Sequence, residues 1–200
     1  GTLFTNHGNF KIGNLDITQA GIHHKNGGDF INQSTGSIEI DRISDFGLQS
    51  SNAGSVFTNN GMITIGSNGT VSNSGIFVNQ SASFSNSSLG SIQINNANVN
   101  WWTKAIAVSG ATFANTGLIV MGNLFQNSGG ISIESAGTFT NNASGIVQAH
   151  HTFYNGIQVV HSGSVCTNHG SILIGTIAHW GIMEYSLNKA LHLRIPFQGA

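Results

Sequence analysis

Apolar and polar positions alternate along this chain in short runs, and the runs return at a nearly constant interval. The unit is clearest from Phe57 to Ile65: an aromatic, then Asn59 two places on, then Gly61, then the alternating pair Ile63 and Ile65. Phe holds the lead position at Phe4, Phe30, Phe57, Phe84, Phe113 and Phe139, and Cys166 takes it in the last copy, giving steps of 26, 27, 27, 29, 26 and 27 residues. Two places after each lead residue stands an asparagine: Asn6, Asn32, Asn59, Asn86, Asn115, Asn141 and Asn168.

Alternation with a period of two is the pattern of a strand with one buried face. It recurs at Phe10 and Ile12, Ile38 and Ile40, Ile63 and Ile65, Ile92 and Ile94, Ile119 and Met121, and Ile172 and Ile174. A second alternating run follows in most copies, at Ile76 and Val78, Ile106 and Val108, Ile131 and Ile133, and Ile157 and Val159. No window carries a helical stripe, and the Gly, Asn and β-branched content disfavours helix. Short strands at a fixed period joined by Gly and Asn turns predict an all-β fold, a right-handed parallel β-helix of about seven coils of 26–29 residues. In such a solenoid the lead Phe residues stack as an inner ladder and the Asn residues form a second ladder at a corner, amide to amide, where Asn also tolerates the left-handed backbone of a tight corner. The Asn-to-Gly distance alternates: Gly8, Gly61, Gly117 and Gly170 follow by two residues, whereas Gly36, Gly90 and Gly145 follow by four. Two corner shapes are therefore expected to alternate along the rod. The repeat region is read as residues 1–185. After it the period fails, and Leu187, Leu191, Leu193 and Ile195 in the segment 186–200 read as a strand that caps the end coil or joins one unit to the next.

Composition narrows the partners. Six Lys and Arg against seven Asp and Glu give a formal net charge of −1, so no basic surface is present to hold phosphates, and nucleic acid is not expected as a partner. No apolar run is long enough for a membrane-spanning helix. The single cysteine excludes an internal disulfide framework. The chain starts inside a repeat and without an initiator Met, which reads as a processed product or part of something longer.

Candidate chemistry is sparse. Asp16, Asp29, Glu39, Asp41 and Asp45 gather in the first two copies, where a polysaccharide-cleaving site would need its acids; aligned strands instead make Glu39 and Lys11 a surface pair. The nine histidines do not show metal-ligand spacing: His7 and His169 sit six coils apart, and the neighbours in His23-His24 and His150-His151 point to opposite faces of a strand. Cys166 occupies a core slot. No catalytic residue, metal site or cofactor is expected. Trp101 and Trp102, in the longest copy, are the candidate glycan contacts, with Tyr154, Trp180 and Tyr185 as further aromatic surface.

The recurring Phe-Thr-Asn-x-Gly-x-Ile-x-Ile pattern, from Phe57 to Ile65 and with Cys in the lead from Cys166 to Ile174, resembles the repeats of large secreted bacterial surface proteins of the filamentous-haemagglutinin and autotransporter-passenger group. The resemblance covers about residues 1–183. It implies a cell-surface or extracellular fibrous element. Together with an open first coil, few charges to oppose association and the strand-like tail, the expected role is a non-enzymatic β-helical adhesin module that self-associates end to end or holds a glycan or host-surface ligand. A polysaccharide-binding or polysaccharide-cleaving β-helix is the alternative.

Overall fold

The computed structural model describes residues 1–14, 19–97, 104–122, 129–150, 152 and 155–175. These residues form an all-β solenoid of stacked parallel coils: twenty strands in three parallel sheets of seven, seven and six strands, with no helix. The chain visits the first, second and third sheet in turn and then re-enters the first one level on, making six complete turns and two strands of a seventh. The first turn consists of Leu3–Asn6, Asn9–Asn14 and Ile22–Lys25. The proposed domain boundary at 185 and the tail residues Leu187, Leu191, Leu193 and Ile195 lie outside the described residues.

Stacking is in strict register. Phe4, Phe30, Phe57, Phe84, Phe113, Phe139 and Cys166 pair in succession along the first sheet, and the seven ladder asparagines do the same two residues later. Parallel strands lie about 4.8 Å apart, and the rings adopt that spacing. Phe30, Phe57, Phe84 and Phe113 stack with centroids 4.5, 4.8 and 4.6 Å apart and planes within 14°. At Phe139, the last ring before Cys166, the separation opens to 5.5 Å and the planes tilt by 31°. Opposite the rings, Ile38 and Ile40, Ile63 and Ile65, and Ile92 and Ile94 from the second sheet are fully buried, as are Ile76, Val78, Ile106 and Val108 from the third. Each fully buried side chain of this size contributes on the order of 1.5–3 kcal/mol.

Each ladder asparagine donates from Nδ2 to the Oδ1 of the next, and all six of these bonds, from Asn6 to Asn168, measure 2.8 Å. The same nitrogen also reaches the carbonyl of the corner glycine in its own turn, Gly8 at 3.1 Å and Gly36 at 3.4 Å for example. In the wide corner, Gln33 to Gly36 closes a turn through Gly36 N–H to Gln33 O at 2.7 Å, leaving Ser34 and Thr35 exposed at its tip. The tight corner one turn on places Gly61 directly against the carbonyls of Gln33 and Gly36, where a Cβ would overlap both. Gly117 and Gly170 face the same pair of carbonyls in the wide corners before them. Two of the wide corners also bond back to the tight corner of the preceding turn, Thr35 Oγ1 to His7 O at 3.0 Å and Ser144 Oγ to Thr116 O at 2.9 Å.

Two expectations need correction. Asparagine was expected at the ladder corner partly because it tolerates left-handed backbone, yet none of the ladder asparagines has positive φ. Left-handed residues gather instead where the third sheet hands over to the first, at Asn26, Asn52, Gln80-Ser81, Ser135-Ala136 and His161. The second correction concerns the third sheet, which also contains Ile22–Lys25 and Leu48–Ser51. Their inward register is Ile22 and His24, then Leu48 and Ser50, so the polar second residue hides the strand from an apolar alternation. The polar pair satisfies itself: His24 Nδ1 lies 3.1 Å from Ser50 Oγ and its Nε2 2.7 Å from Gly28 O, while the ring sits edge-on to Phe30 and Phe57.

Gly61→Ala is expected to cost about 1–3 kcal/mol, because the overlapped groups are backbone carbonyls tied to the ladder. Gly8→Ala, with nothing within 4 Å of the added carbon, should stay within about 0.5 kcal/mol of the parent. Equilibrium denaturation of both variants checks the contrast. By the same measurement Phe84→Ala should lose roughly 3–5 kcal/mol, and Phe4→Ala, at 47% exposure, clearly less.

Candidate functional site

Among the described residues, the carboxylates of the first turns do not form a common cleft; Asp16 lies outside the described residues. Lys11 Nζ meets Glu39 Oε1 at 2.9 Å and Asp41 Oδ2 at 3.7 Å, on the outer face of the second sheet. The hydrogen bond that Lys11 donates to Glu39 raises the pKa of Lys11, with the charges of Glu39 and Asp41 adding and burial opposing. Asp41, nearly buried, also accepts from Asn68 Nδ2 at 3.2 Å. Asp45 lies on the connection into the third sheet and accepts from Asn73 Nδ2 at 3.0 Å. Asp29 opens a strand of the first sheet and is exposed.

His7 and His169 occupy equivalent corners of the first and seventh turns, about 29 Å apart at the strand spacing. His23 points outward and His24 inward, as adjacent strand residues must; burial first, then the charges of Lys25 and His24, lowers the pKa of His23. Among the described residues no three of His, Cys, Asp and Glu converge as metal ligands. Cys166 is buried in the lead slot, and burial pushes its thiol up to about 11. Trp101, Trp102, Tyr154, Trp180 and Tyr185 lie outside the described residues.

A site that the sequence did not disclose lies on the outer face of the third sheet. Successive turns place Phe77, Ala107, Ser132 and Gln158 in one outward rank. The two small side chains in the middle, between a Phe and a Gln, leave a trough crossing the strands, with a volume of about 490 Å³. Residues leading into the strands line it with Phe46, Asn73, Ser74 and Lys104; Glu134 lines it from the end of its strand, and Val160 and His161 from just past theirs. Phe46 and Phe77 stack at 4.6 Å. Burial lowers the pKa of Lys104, and the charge of Glu134 partly restores it. The trough thus combines an aromatic pair with hydroxyl, amide and opposite charged groups, a lining suited to holding a polar molecule.

No family model, curated protein or solved structure matches the chain. The class is set by the architecture: a three-sided β-solenoid with an asparagine ladder and a stacked phenylalanine core. No helix of the described residues is long and apolar enough to cross a membrane.

At pH 8 the native Cys166 thiol should react with a thiol reagent roughly a hundredfold more slowly than an ordinary exposed thiol, following the lowered thiolate fraction. Adding denaturant should remove the difference; equal rates in the folded and unfolded chain would contradict the buried placement.

Proposed function

We propose that the chain is a non-enzymatic structural and adhesive module of a bacterial cell-surface or extracellular fibre, able to add to further coils end to end. The observation that carries this reading is the unbroken ladder from Asn6 to Asn168, six amide bonds of equal length along one axis. A periodic axis of this kind supports stiffness and spacing. The resemblance of the repeats to secreted β-helical adhesins supports the cell-surface setting.

Addition at the ends is supported by the first and last described turns. Leu3 and Phe4 are 64% and 47% exposed at one end, and Leu173 and Ile174 are 54% and 37% exposed at the other. The ladder has a direction: Asn6 Oδ1 is met by Gly8 N–H at 3.3 Å, whereas each later Oδ1 accepts from the preceding asparagine. A coil ending in an asparagine donor would continue it. Few charges oppose such association.

Negative-stain electron microscopy and light scattering of the whole chain check this proposal. Rods or filaments whose length grows with concentration are expected, and Phe4→Asp should shorten them, as should removal of the residues after Glu184. A monomer insensitive to dilution, unchanged by either alteration, would rule out end-to-end assembly. Incubation with polysaccharides should yield no shorter chains.

A further inference from the structure

We propose that the trough on the outer face of the third sheet is a binding site for an uncharged oligosaccharide. The inference deepens the adhesive part of the function above by giving it a place and a ligand class. It rests on side chains that take no part in the ladder or the core.

The shape comes from sequence. Ala107 and Ser132 are 5% and 3% exposed although they stand on the outward face of their strands, so the floor of the trough lies below its rims. Phe77 stands at one end of that floor and Gln158 at the other, three strand spacings or about 14 Å along the rod. That length suits a short chain of sugar rings.

The chemistry separates a saccharide from the other polar ligands. A pyranose presents an apolar C–H face, which an aromatic ring can cover, and a rim of hydroxyls that both donate and accept. The half-buried Phe77 supplies the aromatic group. Ser132 and Gln158 supply groups that donate and accept, Glu134 accepts and Lys104 donates. Lys104 and Glu134, the formally charged residues of the lining, are opposite in sign and so give no bias toward an anionic ligand. A peptide is disfavoured for a different reason. The trough runs across strands whose backbone groups already pair with the turns above and below, so no free sheet edge is present for strand addition.

Isothermal titration of the whole chain with a panel of short linear oligosaccharides, neutral and anionic, tests the proposal. Saturable binding of at least one neutral member is expected. Phe77→Ala should weaken it about tenfold, and Gln158→Ala and Glu134→Gln a few-fold each, while Thr58→Ala, on the outer face of the first sheet, should leave it unchanged. Circular dichroism and electron microscopy of each variant separate loss of binding from loss of the rod. The proposal is overturned if no neutral oligosaccharide binds, or if anionic ones bind more tightly than neutral ones of equal length. It is equally overturned if folded Gln158→Ala and Glu134→Gln bind like the parent. Rods that form normally but bind no sugar would defeat this site and leave the structural function standing.

Discussion

The rest of the structure depends on the hydrogen bond between identical asparagine amides one turn apart. A buried amide left unpaired costs about 1–3 kcal/mol, and this geometry never leaves one unpaired between Asn32 and Asn141, because the donor of each turn meets the acceptor of the next. The bond also fixes register. A slip of one residue in any turn would put asparagine against a neighbour of the opposite face and break two ladder bonds as well as the ring stack. Strand pairing, ring stacking and amide pairing therefore all require the same spacing along the axis.

That requirement explains the alternating corners. Because every asparagine must sit directly over the last, the backbone that follows it has little freedom, and two shapes are accommodated by packing them as a pair. The wide corner turns two carbonyls toward the next turn, and the tight corner presents a glycine that can lie against them. Two tight corners in succession would lack those carbonyls, and two wide ones would set their protruding tips in line. The observed order lets hydroxyls such as Thr35 Oγ1 bridge the two shapes.

What the sequence reveals follows from how often a position repeats its residue type. The Phe and Asn positions are legible because each is buried against its own copy, so like residues recur at one interval. The third sheet is less legible. His24 and Ser50 complete each other's hydrogen bonds inside the solenoid, and this solution is invisible to a search for alternating apolar residues. The positive-φ corner is harder still, since Asn, Gln, Ser, Ala and His all occupy it. The trough is hidden for another reason: the second alternating run already aligns Phe77, Ala107, Ser132 and Gln158 between its aliphatics. The connections that supply Phe46, Asn73, Ser74 and Lys104 share no such pattern, so the walls that make this rank concave could not be read.

The connection from the second sheet to the third is where the chain varies, and this variation places the candidate site. The corner after the ladder must keep its geometry, and the corner from third to first sheet spans only a few residues, as at Gln80 to Ala82 and Gly110-Ala111. By contrast, the second and third sheets are joined by stretches as different as 43–47 and 66–75, the latter carrying isolated bridges from Val71 to Ile43 and Ala97. Phe46, Asn73, Ser74 and Lys104 all come from these connections. One side of the solenoid is thus held by identical amides, and the side least bound by the ladder can change residues with little cost to the axis. A binding surface built from such connections can differ from turn to turn while the rod beneath it stays the same.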